Sequence, residues 1–168
     1  SNIQDLILAS DYLREHFEAP ALLIGHSLGG AAVLMAAGQI AEVKAVATIG
    51  APADVSHVLH NFDADLATIE EQGTTQVALQ GRAFTIEKQF IDDAREANLR
   101  EAIQTMRKPL MVLHAPMDAT VGVENATGIF GAAKHPKSFV SLDGADHLLS
   151  RVEDAEFAAS VITGWVQR

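Results

Sequence analysis

Two rhythms of apolar and polar positions run along the chain. Short stretches rich in Val, Ile and Leu occur at 21–25, 43–50, 110–115 and 138–142, and each stops at or beside Gly, Pro or Asp. Near-continuous apolar runs of that length read as parallel strands covered on both faces. Between them, apolar residues recur every three or four positions, the period of a helix with one buried face. Residues 3–17 place Ile3, Leu6, Ile7, Ser10, Leu13 and Phe17 on one side, and 28–40 are rich in Ala and Leu. Two more helical patterns cover 122–133 and 152–167, the last carrying Val152, Phe157, Val161, Ile162 and Trp165. Strands that alternate with helices predict an α/β fold, a mostly parallel sheet flanked by helices and joined by right-handed crossovers.

One connection breaks this alternation. Strand-to-helix and helix-to-strand links usually take about 2–6 residues, yet nothing between Pro52 and Lys108 continues the sheet. Within this stretch, 75–79 and 83–87 flank Gln80-Gly81-Arg82 in the manner of a hairpin, and the flanks look helical. The expectation is one domain over 1–168 with an insert at 52–108 placed as a lid or cap.

Composition narrows the classes. The 168 residues are 48% hydrophobic and 20% charged, and 22 acidic side chains against 12 basic ones leave a formal charge of −10 with no basic cluster. Such a surface repels phosphate backbones and anionic lipid, which excludes nucleic acid and membrane surfaces as natural partners. Cysteine is absent, so disulfides, thiolate metal sites and a cysteine nucleophile are all excluded; this suits a cytoplasmic location. No apolar stretch reaches the roughly 18 residues a membrane-spanning helix needs.

The candidate chemistry lies where the first apolar run passes into the second, through Gly25-His26-Ser27-Leu28-Gly29. A serine on a tight strand-to-helix turn has its Oγ pushed clear of the backbone. Glycines two positions to either side are expected because a Cβ there would clash, and Gly30 is expected to let the helix pack closely on the sheet. The helix N-terminus faces the serine, and the Leu28 backbone N–H is the candidate oxyanion donor. A serine needs a base, and the base an orienting acid. Asp118 follows the strand at 110–115, and His147 follows the strand at 138–142. The order Ser27, Asp118, His147 makes these three the candidate catalytic set. Taken singly, Asp118 could instead cap the next helix and His147 could be a surface-loop residue. Asp143 and Asp146 are rival acids, but they sit on the same loop as His147 and reach it poorly.

Other residues are secondary candidates. His26 flanks Ser27 and is expected to line a substrate pocket. Phe62, Phe84 and Phe90, in the insert, are expected to shape an acyl pocket. His114 reads as a core residue or as one that supports the site from behind. His57 and His60 lack the third ligand a metal site needs, so no metal is expected, and His16 and His135 read as surface residues.

These residues together resemble the α/β-hydrolase superfamily over essentially the whole chain. More narrowly, "APALLIGHSLGGAAVL", "AVATIGAPAD", "HAPMDATVG" and "HPKSFVSLDGADHLL" look like bacterial hydrolases often fused to an OsmC-like domain. The resemblance implies a serine esterase, with thioesterase or acylaminoacyl-peptidase-like activity as variants, acting on small ester-like substrates without a cofactor. The cysteines of an OsmC-like domain are absent, so no peroxidase activity is expected. A non-catalytic scaffold or dimerisation module, and a hydrolase-fold acyltransferase or haloperoxidase, are the rival readings.

The resemblance also implies four strands ahead of the nucleophile strand, where 1–20 supplies only a helix. On that reading the chain matches the C-terminal two-thirds of such a hydrolase. The strand at 21–25 is then an apolar edge, to be covered by the missing segment or by a second copy in a homodimer. The loop that carries a second oxyanion donor is also expected ahead of it. Losing one such donor typically costs about 2.7–4 kcal/mol of transition-state stabilisation, so the chain alone is expected to be a poor catalyst.

Overall fold

The computed structural model describes residues 2–59, 66–79 and 82–168. Four parallel strands form one sheet: β1 (Leu22–His26), β2 (Ala45–Ile49), β5 (Leu110–His114) and β6 (Lys137–Ser141), in the spatial order β1-β2-β5-β6. Leu22 lies opposite Ala45, Val46 opposite Leu110, and Leu110 opposite Lys137, with every strand running the same way. The carboxyl ends of the strands therefore share one rim, where ligands of open α/β sheets bind. All five residues of β5 are buried, whereas the outer strands β1 and β6 are mostly half-buried. The apolar pattern had all four buried; among the described residues the outer pair have a sheet neighbour on one side, and β1 lies at the edge that the resemblance implied for 21–25.

Alternate residues of the strands feed two cores, as the two-residue strand period requires. Val46, Leu110 and Val112 join the larger core with α2 (Leu28–Ala37), α6 (Glu96–Thr105) and α7 (Glu124–Ala132). Ala47, Met111 and Leu113 face the smaller one, closed by Ala158 and Ile162 of α8 (Val152–Val166). Along α2, Gly30 to Leu34 and then Ala36 and Ala37 are buried in an unbroken apolar run. The helix packs on the sheet through β1 and β2 and also touches α1 (Asn2–His16) and α6.

Two helical faces depart from expectation. In α1, Ile3 and Ser10 are buried, with Leu6 and Ile7 packed on the larger core, but Leu13 and, just past the helix, Phe17 are exposed. In α8, Ile162 is buried and Val161 and Trp165 pack on the smaller core, while Val152 and Phe157 stay exposed. Both helices bury only the turns that lie over a partner, and the apolar period runs past that contact.

Between β2 and β5 the chain forms α3 (Val55–Leu59), α4 (Leu66–Gln72), the antiparallel pair β3 (Thr74–Leu79) and β4 (Arg82–Glu87), and α5 (Lys88–Asp93), before α6. Its buried residues, including Ile69, Val77, Ile86, Phe90 and Leu99, belong to the larger core. The segment is thus packed onto the domain and not carried beside it.

Candidate active site

Ser27 is the first residue past β1 and stands at the N-cap of α2. A serine there normally lends its oxygen to a free N–H of the first helical turn. Ser27 makes no such bond, because its φ of 53° and ψ of −128° turn the side chain away. A positive φ is strained for a residue with a Cβ. The turn stays tight because Gly25 and Gly30 are bare: a Cβ on Gly25 would lie 2.6 Å from Gly30 Cα, and one on Gly30 would strike Ala51 Cβ. Gly29 corrects the expectation, since a Cβ there would meet nothing within 4 Å. It faces an open groove of about 420 Å³, which His26, Ile24 and Asp5 also line.

The freed Oγ meets His147. Ser27 Oγ–H donates to His147 Nε2 at 3.0 Å, and His147 Nδ1–H donates to Asp118 Oδ2 at 2.6 Å. The carboxylate only accepts, which assigns the Nδ1–H tautomer and leaves Nε2 as an acceptor. Relative exposures of 5%, 4% and 7% for Ser27, His147 and Asp118 put the chain of bonds out of bulk water, where such bonds are stronger.

Asp118 divides its two oxygens. Oδ1 accepts from Thr120 N at 2.9 Å and Val121 N at 2.8 Å, which folds the loop after β5 around the carboxylate. Its capping role is therefore local to this turn, since α7 begins only at Glu124. Burial pushes the carboxyl's pKa up, but the bonds from His147, Val121 and Thr120 outweigh it and hold it below the usual range. The rival acids are engaged elsewhere, Asp143 with Ser141 Oγ and Asp146 with Ser150 N.

Three further residues support the site; His114 was expected in such a place, Gly50 and Asn125 were not. Gly50, just past β2, has φ +56°, and a Cβ on it would sit 3.3 Å from His147 Nδ1 and 3.4 Å from Asp118 Oδ2. His114 is fully buried, donating Nε2–H to Val121 O at 2.8 Å with Asp118 Oδ2 at 3.8 Å. Asn125 accepts from Ala53 N and donates to Gly122 O, both at 2.9 Å, joining the start of the 52–108 segment to the acid's loop. The glycine directly after a strand was the one signal available in the sequence; Asn125 left none.

The remaining candidates separate. His26 Nε2–H donates to the His147 carbonyl at 2.7 Å. Burial lowers its pKa, outweighing that bond and the Asp118 charge. Phe84 stands half-exposed on the hairpin, and Phe90 is wholly buried in the larger core, where it offers no surface to a substrate. Phe62 and His60 lie outside the described residues. His57 is exposed, and no group of three metal-holding side chains occurs among the described residues. His16 and His135 are exposed, as expected. Among the described residues no helix is long and apolar enough to cross a membrane.

Solved structures share this fold. The esterase domain of a Rhodothermus marinus protein is 52% identical, with a TM-score of 0.91 over 100% of this chain and 69% of that one. Est1E from Butyrivibrio proteoclasticus is 18% identical, with a TM-score of 0.71 over 99% of this chain and 70% of that one. A monoacylglycerol lipase from Paleococcus ferrophilus is 16% identical, with a TM-score of 0.74 over 98% and 75%. No protein-family model and no curated protein matches the chain. By its match to the Rhodothermus domain, the chain belongs to the α/β-hydrolase family of enzymes.

Proposed function

We propose that this α/β-hydrolase cleaves carboxylic esters or related acyl compounds through an acyl-enzyme on Ser27. The observation that carries the reading is the buried Ser27–His147–Asp118 chain of hydrogen bonds, on a serine whose strained backbone keeps it from capping its own helix. The 52% identity to a domain described as an esterase supports the same class.

In the reaction, His147 Nε2 takes the Ser27 proton as Oγ bonds to the carbonyl carbon. Asp118 holds the Nδ1–H tautomer and stabilises the imidazolium that forms. The carbonyl oxygen becomes an oxyanion, and the first N–H of α2, on Leu28, is the donor aimed at it. The C–O bond to the leaving alcohol then breaks, and the alcohol departs with the proton from His147. Water repeats the sequence: His147 removes its proton, its oxygen attacks the acyl carbon, and Ser27 Oγ leaves protonated. The 52–108 segment acts as a cap, set against the site through the Ala53–Asn125 bond, and a small ester fits this reading better than a polymer.

The test is turnover of p-nitrophenyl acetate and butyrate by the protein and by Ser27→Ala. The parent should release nitrophenol with saturation, and Ser27→Ala should lose roughly 10⁴-fold or more in kcat. Equal rates from both proteins would remove Ser27 from the chemistry.

A further inference from the structure

The structure assigns His26 a positioning role in this reaction: its imidazole N–H anchors the main-chain carbonyl of His147 and so sets where the base stands over Ser27. The inference rests on the serine-hydrolase reading and adds a residue to it.

The geometry sets the problem that His26 solves. Ser27 follows β1 and His147 follows β6, the two outer strands of the sheet. With neighbouring strands about 4.8 Å apart, the loop that carries His147 crosses roughly 14 Å to reach the serine. That loop leaves the sheet where Leu142 N donates to His114 O at 2.9 Å. Beyond this point its own bonds are short-range, with Ala145 N on Leu142 O, Leu149 N on Asp146 O, and Ser150 N on Asp146 Oδ1. Gly144 and Leu149 both take positive φ, at 74° and 53°. These turns shape the loop without attaching its tip to the far side of the sheet. The bond from His26 Nε2–H to His147 O, at 2.7 Å between residues 121 apart in sequence, makes that attachment at the residue that matters.

A side-chain tether is not enough by itself. The His147 ring changes charge during the reaction, and its bonds to Ser27 and Asp118 change with it. A fixed carbonyl gives the ring an anchor that persists through the cycle. Misplacement of a catalytic group by about 1 Å can cost roughly 10²-fold in rate. His26 suits the task chemically because a carbonyl requires a donor, and Nε2–H remains one whether the ring is neutral or charged. Burial favours the neutral ring, which keeps a second positive charge away from the imidazolium, the two ring centroids being 5.0 Å apart. The groups that face His26 are His147, Asp118 and, across the groove, Asp5 of α1.

The experiment compares His26→Leu, which keeps bulk and removes the donor, with His26→Gln, whose amide N–H reaches to a similar point. Leu should lower kcat about 30-fold with KM changed less than about twofold, and Gln should return kcat to within about threefold of the parent. Equal losses in the two variants, or a change in KM alone, would overturn the role and favour packing or substrate contact. A second arm needs no turnover. Nitrogen-15 NMR of the parent should show His26 as the Nε2–H tautomer, and the His147 carbonyl carbon should shift in Leu but not in Gln. An Nδ1–H tautomer at His26, or an unmoved carbonyl signal in a folded Leu variant, would overturn it. A parent that is inactive on esters yet shows the predicted NMR pattern would count against the esterase reading and leave the tether standing.

Discussion

The loops that carry Asp118 and His147 come from neighbouring strands and meet at one hydrogen bond, but they are held in opposite ways. The acid's loop is short and fastened many times over. Thr120 N and Val121 N close on Asp118 Oδ1, His114 holds Val121 O from below, and Asn125 holds Gly122 O while gripping Ala53. The loop of the base crosses the sheet, turns through two positive-φ residues, and is joined to β1 by His26 alone among the described main-chain and side-chain bonds that lie outside the Ser27–His147–Asp118 chain. Redundant local bonds make a rigid acceptor. One distant bond leaves the main chain at His147, the base of the proposed mechanism, anchored to β1 through a single side chain. Loss of one acid-loop fastener should therefore be felt in stability, and disturbance of the base should be felt in rate.

The sharpest break of this contrast is at the bond where the loops meet. Asp118→Asn keeps the Oδ1 acceptor for the loop but gives His147 a partner that favours the wrong tautomer, and kcat should fall by roughly 10⁴-fold. Ester kinetics on the folded variant checks this, and a loss below tenfold would mean that Asp118 is only a loop residue. Gly50→Ala comes next. Its methyl would press on the His147 ring and on Asp118, at a φ that disfavours any Cβ. We expect kcat to drop by about 10²-fold and stability to fall by about 1–2 kcal/mol, measured by ester turnover and urea unfolding.

Asn125→Ala tests the other half of the comparison. It removes two bonds at one site, so unfolding free energy should fall by about 1–3 kcal/mol. The remaining fasteners should nevertheless keep kcat within about threefold, and a rate loss as large as that of Gly50→Ala would show that the acid's loop is not redundantly held. The smallest effect is in pH. Because the folded pKa of Asp118 lies below its unfolded value, the carboxylate contributes stability that is fully present above the usual aspartate range near 4. It is lost as pH falls through the lower folded value. Urea midpoints at pH 7 and pH 3 should therefore separate more for the parent than for Asp118→Asn.

How much of this was legible in the sequence follows the range of each interaction. The apolar run of β5, the Ala-rich α2 and the antiparallel pair β3 and β4 showed themselves because neighbours in sequence impose the strand and helix periods. Ser27, Asp118 and His147 were picked out because a parallel sheet places the ends of its strands on one rim, so position after a strand stands in for position in space. The misread residues turn on what does or does not lie across space from them. Gly29 carries no steric demand because it faces an open groove, and Phe90 is drawn into the core although its segment lacked a clear pattern. Val152 and Phe157 continue an apolar period beyond the surface that α8 covers. The His26 and Asn125 bonds join positions 121 and 72 residues apart, and no local spacing announces a contact of that kind.

The central claim is that His147 and Asp118 make Ser27 a nucleophile. Intact mass after treatment with a fluorophosphonate, with peptide mapping of the parent and of Ser27→Ala, tests it most directly. The account predicts one phosphonyl adduct on the parent, mapped to Ser27, and none on the variant. A folded parent that stays unlabelled, or an adduct that persists in Ser27→Ala, would contradict it.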